Sequence, residues 1–83
     1  MPDRIPLSRL APGEQGIIAS IEGPEGLRQR LGALGFRAGR AILLLRRATF
    51  RGPLHVRLGT TDVALRPAEA SVVNLRSVAP RSP

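Results

Sequence analysis

Short alternating apolar segments, each closed by glycine or proline, constrain this chain more than any other feature. LHVRL (54–58) places Leu54, Val56 and Leu58 on one side and His55 and Arg57 on the other. DVALR (62–66) does the same with Val63 and Leu65, and VVNLRS (72–77) with Val73 and Leu75. Earlier, QGIIASIEG sets Ile17, Ala19 and Ile21 against Ile18 and Ser20, predicting a strand of about six residues that stops at Gly23-Pro24. AILLLRR gives a further strand over 40–47, because it is too short for a helix between glycines. Period-two patterning of this kind reads as strands with one polar face. Five such strands in 83 residues would leave costly open edges in a flat sheet, so a small, strongly bent, partly closed barrel is expected. The expected fold is mostly β: an SH3-like barrel of about five strands, one domain over 1–83 with its core at 5–78 and a frayed tail at 79–83. Residues 1–13 read as an arm whose turn, SRLAPGE, pins its leucines to the barrel. Pro67 opens a single helical turn, PAEA.

One segment breaks the pattern. In LRQRLGALGFRAG, Leu27, Leu31 and Leu34 follow i, i+4, i+7 spacing, which puts them within about 60° of one helix face. The single true helix therefore lies between the first and second strands and covers an opening of the barrel. Pro24 suits its first position, where a missing N–H is harmless. Gly35 stands where a left-handed residue ends a helix, which makes Phe36 and Leu31 the apolar pair of a Schellman motif. Arg28 and Arg30 flank the leucine stripe. Gly32 costs roughly 1 kcal/mol against alanine and would let a strand or a partner approach closely.

The chemistry the chain lacks excludes whole classes of function. There is no cysteine and a single histidine, His55, which the alternation places outside. Glu14, Glu22, Glu25, Asp62 and Glu69 are scattered, with Asp62 read as a turn residue and Glu69 as solvated. No metal-ligand set, acid–base pair or nucleophile elbow emerges. All thirteen basic residues are arginine and the net charge is +7; without lysine there is neither a Schiff base nor a P-loop. No apolar run reaches the roughly 18 residues of a membrane span, and MPDRIPLSRL does not read as a secretory signal, so a cytosolic, non-enzymatic protein is expected. The arginines reflect either GC-rich codon usage or an arginine surface for an acidic partner, nucleic acid or anionic lipid. Single-strand nucleic-acid binders stack bases on exposed aromatics; here the helix cap claims Phe36 and leaves Phe50, so nucleic acid is the less favoured partner. The candidate partner surface is the hairpin carrying Arg46, Arg47, Phe50, Arg51 and Arg57, a basic patch with an aromatic anchor at its tip. Arg28 and Arg30 on the helix form a second candidate patch.

Taken in order, three motifs resemble those of the FeoA family of bacterial ferrous-iron-transport accessory proteins. LSRLAPGEQGIIASI is similar to the family's leucine- and glycine-rich opening. Arg30, Leu31, Leu34, Gly35, Phe36 and Gly39 match its "RL..LGF.PG" helix and turn, with Ala38 in place of the proline. Leu65, Arg66, Glu69, Ala70, Val73 and Leu75 match its "LALR..EA..I.V" close. The hairpin turn TFRGP departs from the family's "PLGDP", and Gly59 stands one position early. The resemblance implies an SH3-like accessory subunit without a cofactor of its own, docking on the cytosolic GTP-binding portion of a FeoB-type permease whose cargo is Fe²⁺. Self-association is a further possibility. The fold is also similar to the C-terminal domain of iron- or manganese-responsive repressors, so a metal-responsive or metal-binding domain is the alternative expectation.

Overall fold

In the computed structural model, which describes residues 4–80, six antiparallel strands form one sheet in the order β1-β6-β2-β3-β4-β5. They are β1 (Ile5–Pro6), β2 (Glu14–Ile21), β3 (Ala41–Arg47), β4 (Leu54–Leu58), β5 (Thr61–Leu65) and β6 (Val73–Pro80). Helix α1 spans Glu25–Ala33 between β2 and β3, and α2 is the single turn Pro67–Ala70. The arm is more ordered than its sequence suggests. Ile5 and Pro6 pair with Leu75 and Asn74 of β6, and a 3₁₀ turn at Leu7–Arg9 follows, so that Leu7 and Leu10 are buried. At the other end β6 continues to Pro80, opposite Glu14, so residues 79 and 80 are paired where the sequence suggests fraying. The remaining expectations for the arm (1–3) and the tail (81–83) lie outside the described residues.

The core is aliphatic apart from one ring. Leu7, Ile18, Leu31, Leu44, Leu54, Val56, Val73 and Leu75 are fully buried, together with Phe36, and no described polar or charged residue is buried. Strands β4 and β6 keep the expected inward sets. Strand β2 does not. A register shift between Ile18 and Ser20 against β6 inserts an extra residue, Ala19, and so breaks the two-residue period. Ile18 is therefore buried while Ile17 lies half-exposed, and Ile21 also reaches the core on the far side of the bulge. A second shift, on β6 opposite Gly16, coincides with a positive φ of 56° at Ser77. These bulges bend the sheet tightly enough for so few side chains to fill it.

Helix α1 ends as its sequence predicts. Gly35, at φ 102°, donates its N–H to Gly32 O, and Phe36 donates to Leu31 O, each at 3.0 Å; both hydrogen bonds of a Schellman motif are present. The two buried side chains of that motif, Leu31 and Phe36, lock the helix to the sheet. The third leucine of the stripe is displaced. Leu34 is the C-cap, past the last helical residue, and is 44% exposed, while Phe36 two residues on is buried. At the other end Pro24 is the N-cap, with extended backbone, and Glu25 takes the first helical position. A Cβ on Gly32 would meet nothing within 4 Å, so no strand approaches there.

Candidate protein-docking site

The β3–β4 hairpin carries most of the candidate residues, and its shape begins with a bulge. Leu44 faces Val56, but Arg46 rather than Leu45 faces His55. The extra residue in β3 turns Arg46 to the outer face, shared with His55, and Arg47 to the face of Leu54. Neighbouring strand residues point to opposite faces in any case; the bulge decides that Arg47, and not Arg46, takes the inner one. The Arg47 guanidinium reaches back across the barrel and donates from Nη2 to the carbonyls of Ser8 and Leu10, both at 2.7 Å. Arg47 is a clamp for the arm. The candidate docking charge of the sequence is thus engaged within the chain.

At the tip, Gly52 donates to Thr49 O at 3.1 Å and Ala48 donates to Pro53 O at 3.0 Å. Phe50 and Arg51, the two central residues of this turn, have φ values of 56° and 59°. Positive φ at both central positions is the signature of a type I′ turn, ordinarily made by Asn-Gly. For residues with a Cβ this backbone costs about 1–2 kcal/mol each. Gly52 is required for another reason, since a Cβ there would lie 2.6 Å from the Ala48 Cβ. The phenyl ring of Phe50 is 99% exposed, which forgoes the roughly 1.5–3 kcal/mol that burying such a ring supplies. Both local conformation and solvation therefore oppose what the tip presents.

The remaining candidate arginines divide by their partners. Arg57 donates to both oxygens of Asp62, at 2.8 and 3.1 Å, across the β4–β5 pair. That hydrogen bond, joined by the charges of Arg57 and Arg46 and opposed by desolvation, holds the Asp62 carboxyl below its usual range. Arg30 is ion-paired with Glu69, tying α1 to α2, and Glu69 also accepts the Arg66 backbone N–H at 2.8 Å. Asp62 and Glu69 are thus specific acceptors rather than a plain turn residue and a solvated acid. Among the described residues Arg28, Arg46 and Arg51 are exposed and form no ion pair. Of the seven candidates, the hairpin presents Phe50, Arg51 and Arg46, Arg28 stands alone on α1, and Arg30, Arg47 and Arg57 are engaged within the domain. The β3 bulge, which decides the role of Arg47, has no glycine or proline to announce it.

Other surfaces offer little chemistry. A shallow cleft of about 230 Å³ between β2, β3 and β4 is lined by Gln15, Ala41, Leu43, Arg57 and Gly59, and its one charged group is already paired with Asp62. Among the described residues no three His, Cys, Asp or Glu side chains gather as metal ligands. No described helix is long and apolar enough to cross a membrane.

Comparison with known proteins decides the family, since the FeoA domain matches residues 5–77. The chain belongs to the FeoA family. An Fe(2+) transport protein A/Fe(2+) transporter FeoB fusion protein of Porphyromonas gingivalis is 31% identical over 72 residues, which cover 87% of this chain and 8% of that protein. The chain thus spans under a tenth of the length of that curated relative. Among solved structures, an iron uptake regulatory protein (FeoA) superposes with a TM-score of 0.79 at 32% identity, over 88% of this chain and 95% of its own. The FeoA of Stenotrophomonas maltophilia complexed with zinc, described as a procaryotic SH3 domain protein, gives 0.80 at 28% identity, over 92% and 96% of the two chains. The SH3-like expectation therefore holds for this FeoA domain. A manganese-dependent transcriptional repressor shares the fold, with a TM-score of 0.85 at 20% identity over 93% of this chain and 43% of that one.

Proposed function

We propose that this FeoA-family chain is a non-enzymatic accessory subunit of bacterial ferrous-iron uptake. It acts in the cytoplasm by docking on the cytosolic, GTP-binding portion of a FeoB-type permease, whose cargo is Fe²⁺. One observation carries the docking site: a fully exposed aromatic, Phe50, on a strained turn beside Arg51. An aromatic with an arginine is the composition of interface hot spots. Family membership and a relative in which transport protein A and FeoB are one fusion protein support the choice of partner. The chain itself holds no cofactor in this reading.

Tagged wild type and tagged Phe50→Ala/Arg51→Ala, incubated side by side with membranes of the native organism, test the proposal. Recovery of the ferrous-iron permease with wild type alone is expected. Equal recovery with both would move the interface to another surface, and recovery of nucleic acid or a repressor in its place would refute the function.

A further inference from the structure

We infer that the receptor for the hairpin tip is an apolar protein pocket, about one phenyl ring deep, with carboxylates at its rim. This rests on the docking reading above and adds the chemistry of the surface that the tip meets.

Three features of the tip point to such a receptor. First, Phe50 and Arg51 occupy left-handed backbone that Asn-Gly would occupy without strain, so local preference does not account for either side chain. Second, the turn is short and closed by the Gly52–Thr49 and Ala48–Pro53 hydrogen bonds, so the backbone under the ring is held and the Phe50 Cα–Cβ bond leaves the hairpin in a set direction. A held backbone serves a shaped pocket, because little backbone entropy is then lost on docking. A lipid surface has no use for it. The tip also carries a single large apolar side chain between Thr49, Arg51 and Gly52, and stable interfacial anchoring takes more than one such signal. Third, the nearby arginines fall into two groups. Arg47 and Arg57 are held by acceptors within the domain, whereas Arg46 and Arg51 are exposed with no ion pair among the described residues. Arg51 next to the aromatic anchor, with Arg46 further down the hairpin, on a chain of net charge +7, complements carboxylates, which a guanidinium grips in a planar fork.

The corollary is a trade between stability and docking that one double substitution exposes. Phe50→Asn/Arg51→Gly supplies the preferred type I′ turn and removes the exposed ring. Its melting temperature is expected to exceed wild type by about 4–8 °C or more, while its retention on permease-containing membranes falls at least about 30-fold, as for a lost hot spot. Phe50→Trp should keep most of the binding, and Arg51→Glu should weaken it most at low salt. A more stable Asn-Gly variant that is retained like wild type would overturn the pocket and leave the permease reading standing. An Asn-Gly variant no more stable than wild type would overturn the stored strain. Wild type that binds protein-free phosphatidylglycerol vesicles as tightly as permease membranes would replace the pocket with a lipid surface. Wild type that is not retained on either would refute the docking reading itself.

Discussion

Replacing Arg47 by alanine should destabilise the domain without touching the proposed docking site. The side chain closes a long loop, since its Nη2 binds the Ser8 and Leu10 carbonyls 39 and 37 residues away in sequence. A hydrogen bond involving a charged group contributes about 1.5–3 kcal/mol. The bond to Leu10 is part-buried, while water can replace much of the bond to exposed Ser8, so the pair sums to about 2 kcal/mol. For a chain of this size that corresponds to a fall in melting temperature of about 8–16 °C, or in urea midpoint of about 1–2 M at unchanged slope. Hydrogen exchange would localise the effect, because the Leu10 amide, bonded to Leu7 O at 3.1 Å, should lose protection first. Arg47→Lys should recover only part of the loss, having the charge without the planar fork. An Arg47→Ala variant that melts with wild type but binds the permease poorly would refute the clamp and return Arg47 to the docking surface.

Other consequences can be checked in the same assays. Gly35→Ala forces a Cβ onto backbone at φ 102° and within 3.3 Å of the Leu58 Cδ2; it should cost at least about 1–2 kcal/mol and lower the melting temperature by about 5–15 °C. Leu31→Ala, fully buried, should cost about 2–5 kcal/mol, whereas Leu34→Gln, two-fifths exposed, should stay within about 0.5 kcal/mol of wild type. Because its hydrogen bond with Arg57 depresses the folded-state pKa of Asp62, this carboxylate stabilises the fold above the ordinary carboxylate range. That contribution disappears as pH falls through the lower folded value, and Asp62→Asn should flatten this part of an acid-unfolding curve. Calorimetric titration of the purified chain with Fe²⁺ or Mn²⁺ should show no stoichiometric uptake; a tight one-to-one isotherm would favour the metal-responsive reading.

Much of the fold is legible in the sequence because it depends on local rules. Gly35 and Phe36 announce a helix end through backbone geometry alone, and β4 shows its two faces in five residues. What is not legible depends on register. Nothing local marks Ala19 and Leu45 as bulge residues, yet they decide that Ile18 and Ile21 share the core face and that Arg47 rather than Arg46 lies on the face of Leu54. Leu34 continues the helical period but is the C-cap, beyond the last helical residue, and Phe36 is buried where Leu34 is not. The candidate docking site is legible in part for the same reason. The sequence places Phe50 at a hairpin tip among arginines, but which arginines are free depends on long-range acceptors: Asp62 across a strand pair, Glu69 on another helix, and the carbonyls of the arm.

Photo-crosslinking from the tip tests the central claim most directly. Phe50 would be replaced by p-benzoylphenylalanine in the full chain expressed in its native organism, with the same analogue at Arg28 as a control on the helix. Irradiation is expected to join position 50 to the cytosolic portion of the ferrous-iron permease, next to acidic residues, with little product from position 28. Crosslinking of the permease from position 28 and not from position 50 would contradict the hairpin as the docking site, and the absence of the permease from both products would contradict the function.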